Sequence, residues 1–266
     1  MSIVYGKGVG LRKSQQDEVK VVKTKEKILA VLSDGMGGHD CGERASEIVV
    51  ETFTRRFFSM DGMDPEAFFK TSFLLAQAEM MGTGKAMGAT VASVLIEKQK
   101  NGLFATHVFW LGDSRVYLLT KTPKNNETIP GAIALSKRRL WLLTEDDSEV
   151  WQEVINGEIP LDKISRAEGR NVLKAGVFSG YLLAPVERKI KTFTLQEGDK
   201  LFLCSDGVWE CLSTHEELGK LLSEADLKRA EEKIIGFVEK SIKEKSCSGD
   251  NYSFVLIELN EELFSA

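Results

Sequence analysis

The stretch Lys27–Asp40, "KILAVLSDGMGGHD", joins an apolar run to a glycine-rich one. Val19–Val22 and Ile28–Leu32 alternate as β-strands do, and the lysine-rich turn between them predicts a hairpin. Asp34 ends the second strand, and three of the next four residues are glycine. Glycine lets the backbone approach another group closely but costs conformational entropy, so this cluster indicates either a tight turn or a site.

The pattern after the glycines predicts two helices and then a group of strands. Apolar residues follow helical spacing from Glu43 to Phe58, and Asp64 with Pro65 forms an N-cap and first turn for a second helix that ends near Met81. Four strand-like runs follow, which we predict to form an antiparallel meander. They are "ATVASVLIEKQ", "GLFATHVFWL", "RVYLLTK" and "RRLWLLT".

The C-terminal half repeats this order of helices and strands. A helical segment begins near Ser148, and two strands, "ERKIKTFTL" and "KLFLCS", are joined by the turn "QEGD". Ser213 with Glu216 fits a capping box for the next helix, a longer helix covers about Ala225 to Lys245, and "YSFVLIEL" is the last strand. Hairpin-length links favour antiparallel sheets over a doubly wound parallel sheet.

The pattern therefore predicts an α+β fold: an antiparallel β-sandwich flanked by helix pairs, in four layers α-β-β-α. No linker divides the chain, so we expect one domain over residues 1–266. The segment 120–139, rich in proline, asparagine and basic residues, is predicted to be an inserted loop. We favour a solvated loop over a contact with a substrate or partner.

Composition limits the class of protein. With 266 residues, 42% hydrophobic and 28% charged, the chain resembles ordinary soluble globular proteins. The N-terminus lacks the pattern of a signal peptide, and no apolar run reaches the roughly 20 residues that span a bilayer. We expect a cytoplasmic protein with no membrane contact and, by default, a monomer. The net charge of −5 argues against a nucleic-acid partner.

Cysteine and histidine usage argues against a soft-metal site. The four cysteines show no CxxC spacing, so reduced thiols are expected rather than disulfides or zinc ligands. The three histidines are scattered along the chain, which argues against a histidine-rich metal site. Any metal site must therefore be built mainly from oxygen ligands.

Aspartate next to glycine recurs at four predicted strand ends: Asp34, Asp113, Asp206 and Asp250. Each pair alone is typical of a turn. If the strand ends share one edge, the carboxylates repel one another unless a cation neutralises them. Oxygen ligands select Mg²⁺ or Mn²⁺, and two such ions can clamp a phosphoryl group for attack by water. The Gly35 carbonyl can turn toward the same ion, and Gly37 and Gly38 leave room for a phosphate.

Eight motifs occur together in the order of a known family. They are "RKSQQD", "SDGMGGH", "GATVASVLI", "LGDSRVYLL", "LTEDDS", "GRNVL", "LCSDGVWECL" and "SGDNYSFVLI". With these motifs the chain resembles the metal-dependent serine/threonine protein phosphatases of type 2C, in their bacterial single-domain form. The resemblance covers nearly the whole chain and implies the same sandwich that the strand and helix pattern predicts.

The resemblance also implies a metal centre. It assigns Asp34, the Gly35 carbonyl, Asp206 and Asp250 to two Mn²⁺ or Mg²⁺ ions, with Asp34 bridging them. Asp113 matches the aspartate of a third, weaker site.

Three residues of the first motif match supporting roles. Arg12 corresponds to the arginine that receives the substrate phosphate, although a surface arginine after a turn is the alternative. Asp17 supports the centre from behind. Gln16 stands where many members have a glutamate, and an amide can accept a hydrogen bond but adds no charge. The resemblance implies an ordering role for Arg115 and Asn251 at a turn and a strand start.

Several other positions depart from the family pattern. Glu210 stands where an aspartate often completes the third metal site, Asp147 replaces a histidine, and Ala167-Glu168 replaces His-Pro. Met36 takes the place of a histidine proposed as general acid in animal members. His39 is a nearby donor, but a lone histidine in a turn is more often polar surface.

We therefore expect an enzyme that hydrolyses phosphoserine and phosphothreonine on proteins, opposing a cytosolic kinase. The alternative is a non-catalytic phosphoprotein-binding or regulatory module on the same scaffold. A nucleotide-binding protein is disfavoured, because "DGMGGHD" lacks a dinucleotide fingerprint and "GTGKAMG" lacks the spacing of a Walker loop.

Overall fold

The predicted hairpin is the centre of the fold. The computed structural model describes residues 2–36, 40–137, 139–180, 189–212 and 214–265. In it, β2 (Asp17–Lys23) pairs antiparallel with β3 (Lys27–Met36). Residues Ile28–Leu32 of β3 are fully buried, because both faces of the strand are covered. The predicted turn between the two strands is confirmed.

Thirteen strands among the described residues form two antiparallel sheets. Sheet I has the order β1-β13-β12-β7-β9-β8, and sheet II has the order β10-β4-β3-β5-β6-β11 with β2 on β3. The remaining strands are β1 (Ile3–Gly8), β4 (Gly88–Ala89), β5 (Val91–Lys98), β6 (Phe104–Leu111), β7 (Arg115–Leu119), β8 (Ile133–Ala134), β9 (Leu140–Leu142), β10 (Val177–Phe178), β11 (Ile190–Leu195), β12 (Lys200–Cys204) and β13 (Tyr252–Glu258). The sequence pattern missed β1 and the short strands β8 and β10.

Helices cover the outer faces of both sheets. They are α1 (Asp40–Phe57), α2 (Pro65–Gly82), α3 (Trp151–Ile155), α4 (Asp206–Trp209), α5 (His215–Leu222) and α6 (Leu227–Lys243), with 3₁₀ helices at Leu161–Arg166 and Glu261–Phe264. Asp64 caps α2 by accepting from two backbone N–H groups, as predicted. None of the helices in the described ranges is long and apolar enough to cross a membrane.

In the part of the chain that the structure describes, three apolar cores hold the layers together. Residues such as Leu32, Val94 and Leu203 fill the space between the sheets. Phe53 of α1 and Phe69 of α2 both pack on Phe109 of β6, which closes the outer face of sheet II. A third core lies between sheet I and helices α5 and α6. The four-layer α-β-β-α sandwich of the sequence prediction is therefore confirmed.

The predicted meander is wrong at one point, because the chain changes sheets there. β6 ends at Leu111 in sheet II, and β7 begins at Arg115 in sheet I. Gly112 has a φ of 100°, and an added Cβ would lie 2.7 Å from the Thr90 side chain. Glycine is required at this crossing for both reasons. The turn "QEGD" likewise leads from β11 in sheet II to β12 in sheet I.

The predicted cap of α5 is displaced by one residue. Thr214 forms the capping box with Glu217, because its side chain accepts from the Glu217 N–H while Glu217 reaches back to the Thr214 N–H. Ser213 lies outside the described residues. The helix predicted from Ser148 begins only at Trp151, since Ser148 makes an isolated bridge with Leu173.

The segment 120–139 is partly built into the fold. Ile129 is fully buried between the sheets, and Lys124 pairs with the buried Asp199 at 3.0 Å. β8 lies within the segment and pairs with β9. A wholly solvated loop is therefore the wrong description of its described residues.

The expectation of reduced cysteines is wrong for two of the four. Cys211 and Cys247 are joined by a disulfide with a Cα–Cα distance of 4.9 Å, whereas Cys41 and Cys204 are free. Spacing could not predict this pair, because the two residues are 36 positions apart and meet only through packing.

Candidate metal centre

Aspartates from separate elements meet at one end of the sandwich. Asp34 near the end of β3 lies directly across from Asp17 of β2. Burial, and after it the negative charges of four other aspartates, raises the pKa of Asp34 well above its usual value; these are Asp17, Asp206, Asp113 and Asp250. The fold thus brings together the carboxylates that the sequence analysis singled out.

The backbone of Asp34 is held by a threonine of the neighbouring strand end. The Asp34 N–H donates to Thr90 Oγ1 at 3.0 Å, and the Thr90 N–H donates back to the Asp34 carbonyl at 2.8 Å. Thr90 Oγ1 also shares a hydrogen bond with Ser114 Oγ at 2.7 Å, next to Asp113. Three of the sequence motifs therefore meet in one buried network.

Gly35 allows a close approach between two backbones. A Cβ at this position would lie 1.9 Å from the carbonyl oxygen of Gly42 in α1. The Gly35 N–H donates to the Gln16 carbonyl at 3.1 Å, which ties β3 to the segment before β2. Gly37, Gly38 and His39, to which the sequence analysis gave a role or an alternative, lie outside the described residues.

Asp17 is buried behind Asp34 and is oriented by serines that the sequence analysis did not identify. Ser205 donates from Oγ to Asp17 Oδ2 at 2.7 Å, and the Ser253 N–H donates to Ser205 Oγ at 2.9 Å. Burial raises the pKa of Asp17 to about 7, although the serine hydrogen bonds favour its charged form. The signal for Ser205 was its position before Asp206 at the end of an apolar strand.

Asp206 begins the short helix α4, directly after β12 and Ser205. Burial and then the charge of Asp250 raise its pKa, and Arg170 opposes this. The next residue is Gly207, where an added Cβ would lie 1.9 Å from the backbone carbonyl oxygen of Asn251, so a side chain does not fit here. The glycine thus lets α4 touch the segment that leads into β13.

Arg12 and Asp250 meet at the solvent side of the cluster. Arg12 Nη2 lies 2.5 Å from Asp250 Oδ2, and the arginine side chain is 60% exposed. The hydrogen bond to Asp250 is the largest cause of the raised pKa of Arg12. Asn251 orders the loop that carries Arg12, because its side-chain amide donates to the backbone carbonyls of Val9 at 2.8 Å and Ser14 at 3.0 Å.

Arg170, from the motif "GRNVL", is a site residue whose role sequence analysis missed. Its guanidinium lies 3.5 Å from Asp206 Oδ2 and forms an ion pair with Glu210. Its side chain is only 12% exposed. Burial raises the pKa of Glu210 to about 7, and the charge of Asp206 adds to this, while Arg170 opposes it. A lone arginine in a loop carried no signal of this contact.

Asp113 is buried next to the aspartate cluster, and its backbone carbonyl accepts from Trp209 Nε1 at 2.9 Å. Burial, and then the charge of Asp206, raises its pKa well above the usual value. Arg115 forms a buried bidentate pair with Asp146 at 2.9 and 2.7 Å and stacks on Trp209 at 3.7 Å. Arg115 is thus enclosed by protein groups.

Asp147, which replaces the family histidine, holds the crossing between the sheets. It accepts from the Gly112 N–H at 3.0 Å and from Lys189 Nζ at 2.5 Å. Burial raises its pKa, and Lys189 opposes this. An acidic residue therefore has a structural use at this position.

The donor set suits a hard divalent cation. Oδ1 of Asp17 and Oδ1 of Asp206 are buried with no hydrogen-bond partner, so each carboxylate has an oxygen left to share. In the side-chain positions of the described residues, no three His, Cys, Asp or Glu groups form a metal cage. Arg12 and Arg170 instead supply positive charge to Asp250 and Asp206. Aspartate oxygens and a backbone carbonyl select Mg²⁺ or Mn²⁺ over softer metals.

Residues 12–244 match the family described as "Protein phosphatase 2C". The chain belongs to the protein phosphatase 2C family. Its two antiparallel sheets between helix layers are the fold of that family. The match extends from Arg12 to the last turn of α6, so it includes most of the candidate site.

Named members of the family are distant in sequence and close in fold. The serine/threonine protein phosphatase PstP of Mycobacterium tuberculosis is 29% identical over 194 residues, 70% of this chain, but the chain spans only about a third (32%) of the length of that relative. A putative phosphatase of type 2C from Streptococcus pyogenes is 28% identical over 84% of this chain and 85% of its own. The catalytic domain of PstP, solved with two manganese ions, has a TM-score of 0.74 at 22% identity and 96% coverage of both chains.

Proposed function

We propose that this chain is a metal-dependent serine/threonine protein phosphatase, which hydrolyses phosphoserine and phosphothreonine on proteins. The observation that carries the proposal is the meeting of Asp34, Asp206 and Asp250 at one end of the sandwich, with Arg12 at its solvent side. Family membership and the serine/threonine phosphatases among its relatives support it.

Two Mn²⁺ or Mg²⁺ ions would be held by Asp34, the Gly35 carbonyl, Asp206 and Asp250. The manganese ions of the PstP catalytic domain and the unpartnered oxygen of Asp206 support this assignment. Such a pair of ions lowers the pKa of water and neutralises the charge that develops on a phosphoryl group. Asp113 would serve a third, weaker site.

The chain's own side chains orient the substrate and the carboxylates. Arg12 would bind the phosphate, because its guanidinium is exposed, lies beside Asp250 and offers paired donors to phosphate oxygens. Asp17 would support the centre from behind, where Ser205 holds it. Gln16, directly before Asp17, would support the centre by accepting a hydrogen bond with its side-chain amide. Its backbone carbonyl accepts from the Gly35 N–H.

We also propose that residues 1–266 act as one catalytic domain with an insertion at 120–139. Pairing of β1 with β13 supports this, because strands from both ends of the chain complete sheet I. The substrates would be phosphoproteins made by a serine/threonine kinase in the cytoplasm, where ATP is available. By removing these phosphates the protein would act in signalling. We take a monomer as its default oligomeric state. The Cys211–Cys247 disulfide is unusual for that compartment.

Turnover of p-nitrophenyl phosphate and a phosphothreonine peptide tests the proposal. We expect activity with Mn²⁺, loss of activity with a chelator, and a fall of about a thousandfold or more in Asp206→Asn. Asp61→Asn, a change of the same type at an exposed residue outside the site, should behave as wild type.

Two results would contradict the proposal in different ways. Activity that survives both the chelator and Asp206→Asn would exclude metal-dependent catalysis at this centre. Phosphopeptide binding without turnover under any divalent ion would instead support the regulatory module.

A further inference from the structure

An open cavity of about 370 Å³ lies on the outer side of sheet I, at the basic end of the segment 120–139. The turn between β8 and β9 forms one wall, and α5 forms the other. The floor is apolar, because Leu119 of β7 and Leu140 of β9, which are paired and buried, line it. Of the described residues that line this cavity, none belongs to the candidate metal centre.

The cavity lies away from the candidate metal centre. Strand β7 runs from Arg115, two positions after Asp113, to Leu119 at the cavity. Four residue steps of strand correspond to about 13 Å. The cavity is therefore a separate surface, and a ligand bound there is independent of the proposed phosphatase activity.

Positive charge is in excess around this cavity. Its described lining contains three cations, Lys137, Arg139 and Lys220, and a single carboxylate, Glu216. Glu216 lies 3.4 Å from Lys220, so these two charges offset each other. Lys137 has no side-chain hydrogen bond or ion pair with another described residue, and Arg139 donates from Nε to a neutral group, the Thr120 carbonyl, at 3.1 Å. Two uncompensated positive charges therefore remain on the wall formed by the turn.

The backbone holds one of these cations in an unfavourable conformation. Lys137 has a φ of 46°, in the left-handed region that glycine and asparagine adopt more readily than lysine. The Arg139 N–H closes the turn by donating to the Ser136 carbonyl at 2.9 Å. The Lys137 side chain is exposed, and no polar contact to the described part of the fold compensates for this conformation. A lysine retained at such a position indicates a use for its charge.

The cavity fits an acidic polypeptide better than a single ion. Cations stand on both walls above an apolar floor, so several carboxylates around an aliphatic side chain match it. Gly219 of α5 leaves room for that side chain, because an added Cβ would have only Leu140 within 4 Å, at 3.9 Å. A nucleic acid offers no aliphatic side chain for the floor, and the net charge of −5 disfavours it as a partner.

We propose that this cavity is a docking site for an acidic segment of a partner protein. Its carboxylates pair with Lys137 and Arg139, and an aliphatic side chain packs on Leu119 and Leu140. The basic end of the segment 120–139 thus forms a docking surface, which gives the insertion a role beyond the proposed catalytic function.

Fluorescence anisotropy with labelled peptides tests the docking site directly. The probe is a peptide of glutamates around a central leucine, and its two controls carry glutamine in place of every glutamate or serine in place of the leucine. We expect the probe to bind about tenfold more tightly than the glutamine peptide, and this difference to shrink as salt is added. The serine peptide should bind about threefold more weakly than the probe.

The variant Lys137→Asn/Arg139→Gln should bind the probe about tenfold more weakly than wild type. The control Lys25→Asn/Lys100→Gln changes the net charge by the same amount. It removes two exposed lysines from the turns after β2 and β5 in sheet II, so it should bind the probe as wild type does.

Two single variants separate a binding role from a structural one. Asparagine tolerates the left-handed region, so Lys137→Asn should have a melting temperature no lower than that of wild type and bind the probe about threefold more weakly. Gly219→Leu fills the cavity without changing its charge, so it should remove the preference for the leucine peptide over the serine peptide.

Several results would overturn the docking site. These are equal affinity for the glutamate and glutamine peptides, no measurable binding of the probe, and binding that survives the Lys137/Arg139 change or falls equally in the Lys25/Lys100 control. A leucine preference that persists in Gly219→Leu contradicts the apolar floor as its binding surface. Tighter binding of polyuridine RNA than of the probe, lost in the Lys137/Arg139 variant, would replace the protein partner with a nucleic acid.

Discussion

Buried charge sets the energetics of individual residues at the candidate site. Asp34 and Asp113 are both driven toward their neutral forms by burial and by neighbouring carboxylates. Such a cluster destabilises the fold unless cations accompany it. Arg12 and Arg170 supply part of that compensation.

Gly35→Ala should destabilise the protein by about 1–3 kcal/mol, because its Cβ meets the backbone of Gly42 at 1.9 Å and neither backbone can yield easily. Gly236→Ala is the matched control. Gly236 is an exposed residue inside α6 with no atom within 4 Å of an added Cβ, so alanine there should stabilise by about 1 kcal/mol. Urea unfolding measures both changes, and equal effects would contradict the close approach at Gly35.

His215 should make stability depend on pH. Burial, with the charge of Arg115 adding to it and Asp162 opposing it, lowers the pKa of His215 to about 4. The unfolded chain binds this proton below about pH 6.5 and the folded chain only near pH 4, so the free energy of unfolding falls as the pH falls through this window. The loss should be about 1–2 kcal/mol, allowing for partial exposure.

The His215→Asn variant tests this expectation. Its free energy of unfolding should fall less than that of wild type between pH 6.5 and pH 4.5 in urea titrations. Parallel pH profiles for the two proteins would exclude His215 as the source.

At the scale of elements, the disulfide joins the segment after α4 to the segment before β13. Cys211 follows the Asp206 helix, and Cys247 lies three positions before Asp250. The bond therefore links two segments that supply carboxylates to the candidate site. It also restricts the unfolded chain, because it closes a loop between residues 36 positions apart.

Reduction should lower the free energy of unfolding by about 2–4 kcal/mol. Cys247→Ser should show the lower value without reductant, and Cys41→Ser, at a free cysteine, should behave as wild type in both conditions. Thermal unfolding with and without reductant measures the effect. An unchanged melting temperature on reduction would contradict a stabilising disulfide.

At the scale of the whole molecule, two sheets bring distant parts of the chain to one site. Asp34 comes from sheet II, whereas Asp206 and Asp250 adjoin strands of sheet I. The site therefore exists only when both sheets are packed together. Binding of metal to this site should consequently stabilise the whole fold, since the unfolded chain does not hold these groups together.

Mn²⁺ at about 100 times its dissociation constant should stabilise the protein by about 2.7 kcal/mol. Asp206→Asn should raise the melting temperature without metal, because it removes a buried charge, and should lose most of the increase with Mn²⁺. Asp61→Asn should match wild type in both conditions. Thermal unfolding checks this, and an Mn²⁺ response that persists in Asp206→Asn would place the metal elsewhere.

Much of the fold could be predicted from local pattern, but less of the site. The hairpin, the Asp64 cap and the four layers followed from periodicity and capping residues. The change of sheet after Leu111 was missed, because a strand looks the same in sequence whichever sheet it joins. Packing against distant strands decides its partner.

The sequence by itself determined the helices α1, α2, α5 and α6, most strands and the aspartate-glycine pairs at strand ends, because these depend on neighbours within a few residues. Only the tertiary structure decided that Arg170 pairs with Asp206 and Glu210, that Ser205 orients Asp17, and that Cys211 joins Cys247. Ser205 and Asp17 are 188 positions apart in the sequence, and Cys211 and Cys247 are 36 positions apart. All of these contacts depend on how the sheets and loops pack. A local sequence pattern depends on near neighbours, so it does not specify which distant residues come into contact. Those contacts are identified only from the burial and the charge pairing of side chains in the folded chain.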